Sequence, residues 1–135
     1  MDYLESHRLR GIRSVAQRLQ ELRPIDKKTL AGFNARARVL KALAHPSRLF
    51  IVDELSRGER CVHELTELIG TDMSTVSKHL SLLKSAGIVT DQKRGLQVYY
   101  RLKTPCVLRF FDCIGDVMQH AAEEQWELLG GSFRR

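Results

Sequence analysis

DMSTVSKHLSLLKSAGIVTDQKRG, residues Asp72–Gly95, reads in order as a helix, a stop, a strand and a basic turn. Asp72 is suited to cap the helix, because a carboxylate accepts the free N–H groups of a first turn. Met73, Val76, Leu80 and Leu83 recur at helical spacing and make one apolar face. The opposite face carries Ser74, Lys78 and Ser81, flanked by Thr75 and Ser77. Gly87 is a fitting left-handed stop. An exposed face of short polar side chains with no acid suits an element that enters a DNA groove.

The neighbouring segments fit the same reading. Cys61–Ile69, CVHELTELI, predicts a short helix with Val62, Leu65 and Ile69 on one side. Gly70 and Thr71 link it tightly to Asp72, which gives a helix-turn-helix pattern. Downstream, Ile88–Gln92 and Gln97–Leu102 predict two strands around the turn Lys93-Arg94-Gly95. A basic hairpin after a reading helix makes a wing. An ordinary helical hairpin with a solvated face is the plainer alternative, but several independent local signals agree on the DNA reading.

Composition narrows the class. A chain of 135 residues with 43% hydrophobic content can pack one core. No apolar run approaches the roughly 20 residues of a membrane span, and MDYLESHRLR has no apolar segment of a secretory signal. Three cysteines in no dense pattern argue against a disulfide framework and for a reducing cytoplasm. The net charge is +6, yet residues 1–44 alone hold 10 basic and 4 acidic side chains. The reading unit is nearly neutral, and the basic excess, which favours a polyanionic partner, lies ahead of it. No GxSxG, P-loop, HExxH or glycine-rich cofactor loop occurs, so no enzyme motif is present.

Three regions follow. Residues 1–44 predict dimerisation helices: one over 1–23 with Ile12, Val15, Ala16, Leu19 and Leu22 in a stripe, and one over Leu30–Leu43. Arg8, Arg10, Arg13 and Arg18 intersperse the first. Residues 45–103 hold the winged unit, opened by Pro46 at a first helical position and a buried face of Leu49, Val52 and Leu55. Residues 104–135 predict a last helix capped by Thr104 with Pro105 at its first position, then a frayed tail. Its stripe is Val107, Phe111, Ile114, Met118 and Ala121. The terminal helices are too long for one small unit to cover, which predicts a homodimer spanning two half-sites of an inverted repeat. The expected architecture is mainly α with a small β-hairpin wing.

Leu43–Leu102 resembles the ArsR/SmtB family of bacterial repressors. The HPSR start, ERCVHEL, the S-x-V-S-K-H-L helix and the G-x-x-V-Y-Y-R-L wing lie in family order. The resemblance implies a homodimeric winged helix that binds operator DNA and releases it when an inducer binds. Inducers in the family are mostly metals and metalloids, and some members sense thiol oxidation or reactive sulfur. Carried over, Ser74, Thr75, Ser77, Lys78 and His79 match the groove-facing helix, Lys93, Arg94 and Gln97 match the wing, and Met73 at the helix start is counted with the DNA-binding candidates. Lys78 stands where many members have histidine. Periodicity puts His79 beside the apolar face, as a residue that flanks the DNA. His45 matches the family's position before the helix and reads as structural.

The effector expectation rests on thiols. Cys61-Val62-His63 stands where the family often has Cys-Val-Cys, and both residue types ligate metals. Thr104, Cys106, Gln119 and Ala122 do not reproduce the family's zinc pattern on the last helix. Cys106 and Cys113 are two turns apart, about 10.5 Å between Cα atoms on a regular helix. Metal–thiolate bonds of about 2.3 Å do not let one ion bridge that gap without unwinding. Cys106 also stands near a helix start, a setting that makes thiols reactive. The expected inducer is thus a thiophilic ion such as arsenite, antimonite or cadmium at Cys61, His63, Cys106 or Cys113. The alternatives are a redox or reactive-sulfur response, or no effector, with Cys113 as packing.

Overall fold

The structure is a computed structural model and describes residues 14–131. The expected stripe residue Ile12, the arginines at 8, 10 and 13, and the tail at 132–135 lie outside these residues. By internal contacts the chain divides into two units, residues 1–36 and 37–135.

In the first unit, α1 is Val15–Glu21 and α2, Lys27–Leu43, begins. Ser14 and Gln17 cap α1 reciprocally: Ser14 Oγ accepts the Gln17 N–H, and Gln17 Oε1 accepts the Ser14 N–H. The helix stops at Glu21 rather than 23. Leu22 is extended, as the chain approaches Pro24. Asp26 Oδ1 accepts the Thr29 N–H at 2.7 Å, which starts α2 three residues before the expected Leu30. That bond, first among its causes, holds the Asp26 carboxyl below its ordinary range.

The second unit runs from the end of α2 through α3 (Pro46–Ser56), β1 (Arg60–Cys61), α4 (Val62–Ile69), α5 (Met73–Ser85), β2 (Val89–Arg94), β3 (Gln97–Leu102) and α6 (Val107–Leu128). The sheet is antiparallel in the order β1-β3-β2. Its core joins Leu43, Ile51, Val52, Leu55, Leu65, Val76, Leu80, Leu83, Ile88, Val89 and Tyr100. Full burial of one such aliphatic side chain stabilises by about 1.5–3 kcal/mol, so α5, which sends three into this cluster, is anchored by its apolar face.

Four expectations are corrected. The buried arc of α3 is Ile51, Val52 and Leu55, while Leu49 is 37% exposed. β2 runs on through Lys93 and Arg94, so the turn is Gly95-Leu96, with Arg94 paired to Gln97. Gly95 has φ 61, and a Gly-X pair with a positive φ first is the tight turn that matches strand twist. β1 was not foreseen; Cys61 pairs with Tyr99 there and precedes α4 instead of starting it. Finally, Thr104 does not cap α6. Its hydroxyl donates to the Gly87 carbonyl at 2.7 Å, Cys106 holds the cap position, and the helix begins at Val107.

Candidate nucleic-acid interface

α4 ends at Ile69 with Gly70 as its left-handed cap, and α5 begins two residues past Thr71 with a side-chain cap. Asp72 Oδ1 accepts the Thr75 N–H at 2.9 Å and the Ser74 hydroxyl at 2.5 Å, and Oδ2 accepts the Thr75 hydroxyl at 2.6 Å. The Ser74 hydroxyl, then the hydroxyl and the N–H of Thr75, hold the Asp72 carboxyl far below the usual carboxylate range. The cap has a chemical consequence. The Ser74 and Thr75 hydroxyl protons are already committed to Asp72, so each oxygen has only acceptor capacity left to offer.

The rest of the expected face divides. Lys78 and Ser74 are exposed, Thr75 and Ser77 are half-buried, and Met73 is exposed at the first position. Lys78 has no ion-pair partner among the described residues. His79 is half-buried on the flank of α5, with Arg48 Nη1 3.3 Å from its Nδ1. Lys84, by contrast, is exposed and paired with Asp91 at 2.9 Å, which ties the end of α5 to β2. The bond to Asp91 raises the Lys84 pKa.

The wing residues are all exposed but do not act alike. Strand alternation puts Arg94 and Gln97 on one face and Lys93 on the other. Arg94 is held by both oxygens of Glu59, at 2.6 and 2.8 Å, and its guanidinium stacks over Tyr99 at 4.8 Å. Sequence reasoning missed this clasp. Lys93, by contrast, carries no such partner among the described residues.

The thiols are dispersed. Cys61 is buried, while Cys106 and Cys113 are exposed in the single chain. His63 is exposed on the first turn of α4, where Glu64 Oε2 accepts the Cys61 N–H at 2.8 Å. Among the described residues no three of His, Cys, Asp and Glu gather as a metal-holding group. Cys106 lines an apolar cavity of about 320 Å³ together with Leu40, Leu43, Ile88, Val107 and Phe110.

Two helices joined by a tight turn, followed by an antiparallel hairpin, define a winged helix-turn-helix. A family model for bacterial regulatory proteins of the arsR family matches residues 45–91. The chain is 38% identical over 91 residues to the HTH-type transcriptional repressor SmtB of Mycobacterium tuberculosis, spanning 67% of this chain but only 65% of that relative. It is 36% identical over 89 residues to the HTH-type transcriptional regulator NmtR of the same organism, covering 66% of this chain and 72% of the relative. A solution structure from Mycobacterium bovis, described as the homodimeric winged helix-turn-helix DNA-binding domain of a possible ArsR-family regulator, is similar at TM-score 0.64 and 34% identity, over 76% of this chain and 95% of that one. The chain belongs to the ArsR family of bacterial regulatory proteins. No helix among the described residues is long and apolar enough to cross a membrane.

Proposed function

We propose that the protein is a homodimeric transcriptional repressor of the cytoplasm that binds an inverted-repeat operator and releases it when an effector reaches its cysteines. The observation that carries this reading is the outer face of α5: acid-free, capped by Asp72, and bearing the exposed Lys78, which has no ion-pair partner among the described residues. Residues 45–103 then read the DNA through Met73, Ser74, Thr75, Ser77, Lys78 and the wing residues Lys93 and Gln97. His79 flanks the groove. Arg94 contributes its charge only where a phosphate displaces Glu59. Residues 1–44 and 104–135 supply the dimer contacts. Exposed apolar side chains on α6, Ile114, Val117 and Met118 among them, support that role, and so does the M. bovis neighbour, described as homodimeric. Relatives described as repressors support the direction of regulation.

The effector is a thiol reagent in the broad sense. A thiophilic ion such as arsenite, antimonite or cadmium suits thiolates, but the residues described in one chain do not assemble a ligand set. Cys61, His63, Cys106 and Cys113 would need a second protomer to complete one. Modification of Cys106 by an oxidant or reactive sulfur is the second reading, favoured by its exposure at the first turn of α6. Either effector acts only by binding the DNA-free form more tightly.

Selection of a duplex from a random pool, then anisotropy of that duplex with the full chain, tests both parts. Arsenite, antimonite, cadmium and peroxide are added in turn. The expected result is an inverted repeat, released by at least one reagent, with the response impaired in Cys106→Ser and gone in the triple Cys→Ser variant. A triple variant that still releases DNA at the same concentration contradicts the thiol reading.

A further inference from the structure

Ser74 is an exposed hydroxyl on the first turn of α5, one helical turn before the exposed Lys78. Its oxygen donates to Asp72 Oδ1 at 2.5 Å, where the Thr75 N–H also donates, at 2.9 Å. Asp72 Oδ2 takes the Thr75 hydroxyl at 2.6 Å and the Thr71 hydroxyl at 3.5 Å. An ionised carboxylate only accepts, so the direction of each of these bonds is fixed. The Ser74 hydroxyl first, then Thr75, hold the Asp72 carboxyl far below the carboxylate range, so it is charged at neutral pH.

The Ser74 proton is therefore not available to a base. A hydrogen bond to an ionised acceptor is roughly twice as strong as one between neutral groups. The oxygens on a base edge are neutral. Turning the hydroxyl toward one of them exchanges the stronger bond for the weaker and leaves Asp72 one donor short. Ser74 Oγ thus meets DNA with its lone pairs alone, and among the described residues no donor is directed at it. Thr75 is held in the same way but is half-buried, so Ser74 is the more open of the two.

The place of Ser74 gives that polarity a use. α5 is the second helix of the helix-turn-helix, and the N-terminal residues of that helix are the ones that meet base edges in the major groove. There adenine and cytosine each present an amino group, whereas guanine and thymine present an oxygen at the corresponding point. An acceptor held opposite an amino group gains a hydrogen bond. Opposite a keto oxygen it sets lone pair against lone pair and leaves both dry and unpaired.

We propose that Ser74 determines base choice by amino against keto: at one position of each half-site it accepts from adenine or cytosine and rejects guanine and thymine, with Asp72 as the residue that fixes its polarity. The inference rests on the DNA-binding reading above and adds to it the edges that are read. A single acceptor does not separate adenine from cytosine, so the position tolerates one purine and one pyrimidine. Groove width and duplex stiffness divide sequences differently, A·T against G·C, so this degeneracy is not the mark of shape readout.

The duplex selected by the full chain is changed through all four bases at each half-site position, and competition anisotropy ranks the products. The expected result is one position where adenine and cytosine bind within about twofold of each other and about tenfold tighter than guanine and thymine, the scale of a single mismatched pair. At that position N6-methyladenine, which keeps its pairing proton and carries its methyl group on the groove side, should bind as weakly as the keto bases. Ser74→Ala should bring all four bases to within about twofold. Asp72→Gly should also erase most of the preference with Ser74 still in place, because the freed hydroxyl then turns to donate or to accept. Glycine is tolerated at a helix cap, so this variant keeps α5. Selective binding with no amino–keto position, a preference that survives Ser74→Ala, or one unchanged in Asp72→Gly overturns the proposal and leaves the DNA reading intact. Failure to select any duplex overturns both.

Discussion

Helices α5 and α6 carry apolar stripes of the same spacing, yet only one of them is filled. Val76, Leu80 and Leu83 of α5 are 0% exposed, whereas Val117 and Met118 of α6 are 64% and 68% exposed, and α6 has no buried residue. Val107, Leu108 and Phe111, on the first turns of α6, pack partly against the core. Beyond them the stripe continues without a covering element among the described residues of its own unit. Periodicity therefore reports which side of a helix is apolar and leaves open what covers it. A contiguous apolar face left in water marks an interaction surface, and a second copy is the occupant proposed for this one.

The largest test of that contrast is stability. Leu80→Ala should cost about 2–5 kcal/mol, because the hole it leaves is closed on every side. Met118→Ala should leave the unfolding free energy of dilute, monomeric protein nearly unchanged. Urea titrations of the two variants check this, and equal losses would erase the distinction between the helices. Next comes assembly: Val117→Asp should convert the dimer to a monomer in light scattering with the far-ultraviolet dichroism preserved. A dimer that survives the buried charge would move the interface away from α6.

A smaller effect separates the two reading elements. On α5 the basic side chain Lys78 has no ion-pair partner among the described residues, while on the wing Arg94 is clasped by Glu59. Glu59→Gln should release Arg94 for phosphate and tighten duplex binding a few-fold at low salt, with the salt slope rising by about one. Unchanged affinity would mean that Arg94 serves only to brace the wing. The smallest effect is the acid response of the α5 cap. The Asp72 pKa is lowered on folding, so its contribution is present above the unfolded carboxylate range and lost as pH falls through the folded value. Asp72→Asn should therefore lower the melting temperature near neutral pH, with the gap closing only in strong acid.

These contrasts also divide what the sequence reveals from what it hides. The apolar register of α5, the Asp72 cap, the Pro46 helix start and the two hairpin strands were legible, because each depends on neighbours within a turn or a strand. The Ser14–Gln17 cap was equally local and was overlooked. What stayed hidden depends on partners distant in the chain. Arg94 meets Glu59 across 35 residues, Arg48 meets His79 across 31, and Thr104 meets the Gly87 carbonyl across 17. That last bond delays α6 past its expected cap. β1 is two residues long and exists only because β3 pairs with it. The site follows the same rule: the exposed positions Ser74 and Lys78 were readable from periodicity. That the Ser74 and Thr75 hydroxyl protons are tied to Asp72, and that Lys84 is tied to Asp91, was not.

The two lysines of α5 offer the most direct test of DNA reading through its outer face. Lys78 is exposed on that face with no ion-pair partner among the described residues, and Lys84 is held by Asp91 near the C-terminal end. The measurement is the salt dependence of duplex binding, by anisotropy, for wild type, Lys78→Ala and Lys84→Ala. Binding through α5 predicts a steep linear fall of log affinity with log salt, a clear loss with a slope lower by about one in Lys78→Ala, and near wild-type behaviour in Lys84→Ala. Equal losses in the two variants, or a Lys78→Ala protein that binds like wild type, would contradict it.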